Sequence, residues 1–173
     1  MYKSNGVYLH SINSKKPVLF LDTKPLVQYL LYKLSVGKDK FSPEVYMFFR
    51  YVDMFFNDNR LYTTCYVITE TLYFVYKEME RMYDYDRLFS VLKNVLKRIK
   101  EYYVTFEDIV KDLSGAFPPA DTSLIIVAKD VPEAIIVSTD RRLVETIRIM
   151  CKKVSRKPSA YTMYELIQLR GLV

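Results

Sequence analysis

The stretch Val18-Leu19-Phe20-Leu21-Asp22-Thr23-Lys24-Pro25 constrains the fold more than any other. Its apolar run is too short to span a membrane, and it stops on an acid followed by a Thr-Lys-Pro helix start. An unbroken apolar strand has no solvent face, so both of its faces must be covered, as in a parallel α/β sheet. Such a strand delivers the Asp22 carboxylate to the carboxyl edge of the sheet, where open α/β sheets hold their ligands. Ala134-Ile135-Ile136-Val137-Ser138 is a second run of the same kind, and it ends at Thr139-Asp140.

Helical periodicity fills the space between these strands. Thr23 can cap a helix carrying Leu26, Leu30, Leu31 and Leu34 at helical spacing. Gly37 and Lys38-Asp39-Lys40 mark a loop, and Ser42-Pro43-Glu44 starts a helix that Asn57-Asp58-Asn59 breaks. Residues 60–64 read as a short strand, and a helix apolar on two sides is expected from Tyr66 to Tyr83. Another helix begins at Asp84 or Tyr85. A strand over Tyr102–Phe106 is expected next, then a helix start at Thr105-Phe106-Glu107-Asp108 with Gly115 as its stop. Asp121 opens a helix over Thr122–Lys129, and a further helix runs from Arg141 to Lys152. Val154 is expected to seed an edge strand, and Thr162-Met163-Tyr164-Glu165 is a capping-box pattern. Strands alternating with helices predict an α/β fold, a three-layer α/β/α sandwich with a mostly parallel central sheet. At 173 residues this is one domain over 17–173, preceded by an N-terminal arm over 1–16, with extra helices around 42–100.

Several chemistries are disfavoured at once. The sole histidine, His10, falls in the expected arm, and Cys65 and Cys151 have no metal-ligand or redox spacing, so they are expected as buried free thiols. The turn Asp22-Thr23-Lys24-Pro25 has no glycine, against a dinucleotide-binding fingerprint. The first residues lack the apolar core of a signal peptide, so the cytoplasm is the expected location. A net charge of +6 favours an anionic partner such as nucleic acid.

Chemistry therefore falls to the acids. Asp22 and Asp140 end the two strongest strands; a helix N-cap would explain either alone, but not the pairing. Glu70 has Tyr66, Val67, Tyr73 and Phe74 as its helical neighbours, which predicts a carboxylate away from solvent that needs a cation, a proton or a lysine. Asp121 is explained by capping, yet its helix also starts near the same sheet edge. Four converging carboxylates without His or Cys select a hard ion, Mg²⁺ or Mn²⁺, which can assist phosphodiester hydrolysis. Lys24, Arg141 and Arg142 flank two of the acids and are candidates for phosphate and RNA contacts, with solvated surface charge as the alternative. Most of the 16 tyrosines, at helical spacing beside Phe and Leu, are expected to pack rather than to stack on bases.

The order of these motifs resembles the PIN-domain family. LFLDTKPLV supplies Asp22, VITETLYF supplies Glu70, PADTSLIIVA supplies Asp121, and IIVSTDRRL supplies Asp140 with Ser138 two residues before it. Ala128 and the segment Tyr161–Leu166 fit the same pattern, while Lys24 stands where that family usually has Asn or Ser. The resemblance covers nearly everything from Val18 onward. It implies a Mg²⁺- or Mn²⁺-dependent ribonuclease with these four acids as metal ligands and Thr23 and Ser138 in support. The products would carry 5′-phosphate and 3′-hydroxyl ends. It further implies a single-stranded RNA substrate, a homodimer and, as in VapC-type toxins, a possible antitoxin. Lys24 would contact phosphate or compete with metal for Asp22. The alternatives are a non-catalytic PIN-like RNA-binding or assembly module and a flap-endonuclease-type DNA nuclease; no dense acidic cluster matches the latter.

Overall fold

The computed structural model describes residues 16–82, 84–112, 117–154 and 160–169. His10, Gly115 and the arm expected over 1–16, apart from Lys16, lie outside them. Five strands form one sheet: β1 Val18–Leu21, β2 Leu61–Thr64, β3 Lys100–Tyr102, β4 Ala134–Ser138 and β5 Ala160–Thr162. Their order is β3-β2-β1-β4-β5, and every neighbouring pair is parallel. All four residues of β1 are buried, because it lies between β2 and β4 with helices over both faces.

Each parallel step needs a crossover, and helices supply them. Between β1 and β2 run α1 Thr23–Lys33 and α2 Pro43–Asn57; between β2 and β3 run α3 Cys65–Met79 and α4 Tyr85–Leu96. The return to β4 uses α5 Phe106–Asp112 and α6 Pro119–Asp130, and α7 Arg141–Lys153 leads to β5 and α8 Met163–Leu169. From β1 the chain steps one way to β2 and β3, then returns across β1 to β4 and β5. Right-handed crossovers put the two sets of helices on opposite faces. Accordingly α2 packs with α1 and α8, whereas α6 packs with α5 and α7. The expected three-layer α/β/α sandwich is what the chain forms.

Aromatic packing sets the spacing of the first helical layer. Phe48, Phe49, Val52, Phe55 and Phe56 form the buried stripe of α2. Tyr32 stacks on Phe49 at 4.6 Å between centroids, and Phe41 meets the same ring edge-on at 5.1 Å. The Tyr29 hydroxyl donates to Asp53 at 2.7 Å. These tyrosines are packing residues.

Several local expectations are corrected. Asp22, not Thr23, caps α1: its extended backbone and its acceptance from the Thr23 amide make it the N-cap. The third helix ends at Met79 rather than Tyr83, and its apolar character is one-sided: Val67, Thr71, Val75 and Met79 are buried while Tyr73 and Phe74 stand in solvent. The third strand lies at Lys100–Tyr102, and the last edge strand at Ala160–Thr162 rather than at Val154, which follows α7 directly. The capping box is present, with Thr162 and Glu165 exchanging backbone-to-side-chain bonds. Cys151 is buried and free; Cys65 is free but only half-buried. Among the described residues no helix is long and apolar enough to cross a membrane.

Candidate functional site

The order β3-β2-β1-β4-β5 reverses direction between β1 and β4, and the crevice outside their carboxyl ends is where such sheets bind ligands. Asp22 follows β1 and Asp140 follows β4, so both flank that crevice. The ladder carries them there in register: Leu21 pairs with Val137, and the Asp22 amide donates to the Val137 carbonyl at 2.9 Å. Ser138, fully buried at the end of β4, then bridges the two acids. Its hydroxyl donates to Asp22 Oδ2 at 2.5 Å and accepts from the Asp140 amide at 2.8 Å.

Asp22 is 7 % exposed. The Thr23 amide donates to its Oδ1 at 2.7 Å. The Thr23 hydroxyl donates in turn to Glu70 Oε2 at 2.7 Å, which fastens α3 to the start of α1. Glu70 is solvent-exposed, contrary to the expectation of a buried carboxylate, because Tyr73 and Phe74 beside it are themselves uncovered. Asp140 caps α7, its Oδ1 accepting from the Arg142 and Leu143 amides at 2.7 and 3.3 Å. Asp121 caps nothing. Pro118 is the N-cap of α6 and Pro119 occupies its first position, so Asp121 sits inside the first turn.

Electrostatics tie the four together. Burial pushes the Asp121 carboxyl up to about 6, and the negative charges of Asp22, Asp140 and Glu70 add to that rise. Burial also raises Asp22; the Ser138 and Thr23 hydrogen bonds oppose the rise, and Glu70 and Asp140 reinforce it. Among the described residues none of the four acids is ion-paired with a lysine or arginine. Oxygen donors without compensating cations suit a hard divalent ion in their chemistry. Glu70 Oε1, Asp140 Oδ2 and both oxygens of Asp121 carry no protein hydrogen bond among the described residues. Among those residues no group of three or more His, Cys, Asp and Glu side chains stands arranged to hold a metal ion. The donor set fits Mg²⁺ or Mn²⁺ by type, with the four side chains acting on one another across the crevice rather than closed around one point.

One element of this site escaped sequence reading. Thr64 ends β2 fully buried, accepts from the Val67 amide as the cap of α3, and shares a 2.7 Å hydrogen bond with the buried Ser123 of α6. That bond joins the helix carrying Glu70 to the helix carrying Asp121. The sign available was Ser123, a small polar residue in the apolar run of α6 two positions after Asp121.

The basic candidates are all exposed. Lys24 lies in the first turn of α1, and Arg141 and Arg142 in that of α7; neither first turn contains an acid. Each of these cations follows an acidic N-cap, Asp22 or Asp140, so together they form a basic rim directly beside the carboxylates. The Arg142 guanidinium also lies 4.9 Å from the centroid of the Phe117 ring, just ahead of α6. A cleft of about 550 Å³ between Tyr66, Glu70 and Pro119 opens on the other side of the acids.

No protein-family model matches the chain, and no curated protein matches it. Among solved structures it is similar to the crystal structure of PAE2754 from Pyrobaculum aerophilum, with a TM-score of 0.56 and 14 % sequence identity. The similarity covers 99 % of this chain and 100 % of that one. At such identity the likeness shows the fold alone.

Proposed function

We propose that the protein is a Mg²⁺- or Mn²⁺-dependent endoribonuclease acting on single-stranded RNA. One observation carries the reading: four carboxylates from four separate segments act on one another at the switch-point crevice, and among the described residues no lysine or arginine is ion-paired with them. The electropositive rim of Lys24, Arg141 and Arg142 supports a polyanionic substrate. Asp22, Glu70, Asp121 and Asp140 would hold the cation, which when bound supplies Lewis-acid stabilisation of charge developing on the phosphodiester.

The chain's own residues supply the rest. Ser138 and Thr23 fix the orientation of Asp22, and Thr23 also holds Glu70. One acid takes the proton of the attacking water. Attack on phosphorus with departure of the 3′ oxygen leaves 5′-phosphate and 3′-hydroxyl ends. Tyr73 and Phe89, exposed on α3 and α4, offer apolar surface to a second copy of the chain or to an inhibitory protein.

The test is end-labelled single-stranded RNA incubated with purified protein in MnCl₂, MgCl₂ or EDTA, beside Asp22→Asn and Asp140→Asn. Cleavage that requires the metal and both acids is expected; cleavage that survives both substitutions overturns the assignment. The second reading, a non-catalytic RNA-binding or assembly module, draws on the same exposed aromatic surface. It predicts binding that neither EDTA nor the Asp substitutions change.

A further inference from the structure

Beside the acids, between α1 and α3, lies a pocket of about 460 Å³ that neither the acids nor the fold accounts for. Its wall on α1 is Thr23, Val27 and Leu31, spaced four residues apart so that they share one helical face. Its wall on α3 is Phe74, Lys77 and Glu78, and the loop after α1 closes it with Val36 and Phe41. Two aromatic rings thus stand in an apolar recess. Phe41 is held by its edge-on contact with Phe49, whereas Phe74 is 42 % exposed at the mouth.

Cations outnumber acids in the lining of this recess, three lysines to one glutamate. Lys24, Lys40 and Lys77 line it, and none is ion-paired among the described residues. Glu78, the one acid in the lining, already faces Arg81 at 3.4 Å. The pocket also adjoins the carboxylate site. Thr23 belongs to both, and Phe74 lies one helical turn, about 6 Å, along α3 from Glu70.

We propose that this pocket receives an unpaired nucleobase of the RNA strand, from the nucleotide next to the phosphate at the acids, with Lys24, Lys40 and Lys77 contacting the flanking phosphates. The placement of that phosphate rests on the nuclease reading; the base pocket itself does not need a metal. The volume leaves ample room for a base and part of its sugar, the rings supply a stacking surface, and the cations match the backbone. Thr23 gives its hydroxyl to Glu70, so the lining offers few groups to read a base edge, and the pocket selects unpaired over paired bases rather than one base over another.

The experiment is fluorescence anisotropy of a labelled single-stranded RNA of mixed sequence in EDTA, with the same RNA as a duplex for comparison. Phe74→Ala is expected to weaken single-strand binding by about fivefold or more while leaving duplex binding unchanged; Phe74→Tyr retains the wild-type affinity. Lys24→Ala combined with Lys77→Ala flattens the salt dependence of single-strand binding by about 1.4 units of log–log slope, about 0.7 for each lost phosphate contact. An abasic site at the pocket nucleotide abolishes the difference between wild type and Phe74→Ala. Unchanged single-strand affinity in Phe74→Ala, equal losses on duplex, or no RNA binding by the wild type overturns the pocket. If Mn²⁺-dependent cleavage persists while Phe74→Ala binds RNA normally, the pocket falls and the nuclease stands. Phe74-dependent binding without any cleavage has the opposite meaning.

Discussion

Asp121→Asn is expected to make the metal-free protein more stable, an unusual result for a residue placed in a functional site. The Asp121 carboxyl is raised from 3.8 to about 6, first by burial and then by Asp22, Asp140 and Glu70. Because the folded value exceeds the unfolded one, the folded state binds more protons between those two values. The penalty on folding is therefore fully present above about pH 6, relieved as pH falls through that window, and gone below the ordinary value. At about 1.36 kcal/mol per pH unit the gap amounts to about 3 kcal/mol, and solvent screening of a half-buried group leaves roughly half of it. For a chain of this size about 1.5 kcal/mol corresponds to a Tm higher by roughly 3–6 °C in Asp121→Asn at pH 7.5. Calorimetric or fluorescence melting in EDTA at pH 7.5, 6 and 4 measures it, and the gain should shrink as pH falls. Added MnCl₂ should reverse the order, raising the wild-type Tm more than that of the variant, since an ion that binds only the native state stabilises it by mass action. A Tm for Asp121→Asn that is equal to or below wild type at pH 7.5 refutes the penalty that burial and the neighbouring acids place on the Asp121 charge.

Other substitutions test the supports. Ser138→Ala leaves a buried carboxylate oxygen and the Asp140 amide without their shared partner, and urea unfolding should show a loss of about 1–3 kcal/mol; a change within about 0.5 kcal/mol would contradict the bridge. Arg148 donates from Nε to the Ala160 carbonyl and from its two terminal Nη nitrogens to Glu165 at 2.8 and 3.2 Å, and this Glu165 pairing draws its carboxyl down to about 2. Its folded value lies below the unfolded one, so this stability is present above about pH 4.5 and is lost as pH falls toward 2; discounted for exposure it is about 1–2 kcal/mol, and Glu165→Gln should unfold with a correspondingly flatter acid limb. Gly37 has φ of +62° with open room for a side chain, the nearest atom being Lys40 Cδ at 3.5 Å, so Gly37→Ala should cost the backbone term alone, about 1–2 kcal/mol by thermal melting, and Gly37→Asn less.

The central strands were legible because burial on both faces leaves no polar residue to interrupt them: β1 and β4 stand where their apolar runs stand. The edges were not. β3 carries exposed Lys100 and Glu101, charges that discourage edge-to-edge pairing and hide the strand from any apolar pattern. Glu70 was found in the right helix for a reason that fails. Its aromatic neighbours resemble core residues, yet α3 packs chiefly against α1 and α6 and leaves Tyr73 and Phe74 exposed. Sequence distinguishes apolar from polar, but not a core aromatic from one lining an open pocket. The start of α6 was placed late for a related reason, since a Pro-Pro pair reads as a break although proline suits the first position of a helix.

Lys24 shows what the structure adds to such a reading. From the sequence, a lysine two residues after Asp22 either contacts phosphate or competes with a metal for that acid. The two differ in where the ammonium goes. Lys24 makes no ion pair with Asp22, and the groups acting on the Asp22 carboxyl are Ser138, Thr23, Glu70 and Asp140, with no cation among them. Lys24 instead lines the pocket between α1 and α3, together with Lys40 and Lys77. Thr23 makes the separation: its amide and hydroxyl hold two acids, and the next residue opens the basic wall. A carboxylate cluster and a lysine-lined recess thus share one residue without neutralising each other, and the proposed binding of a phosphodiester beside an unpaired base draws on that pattern.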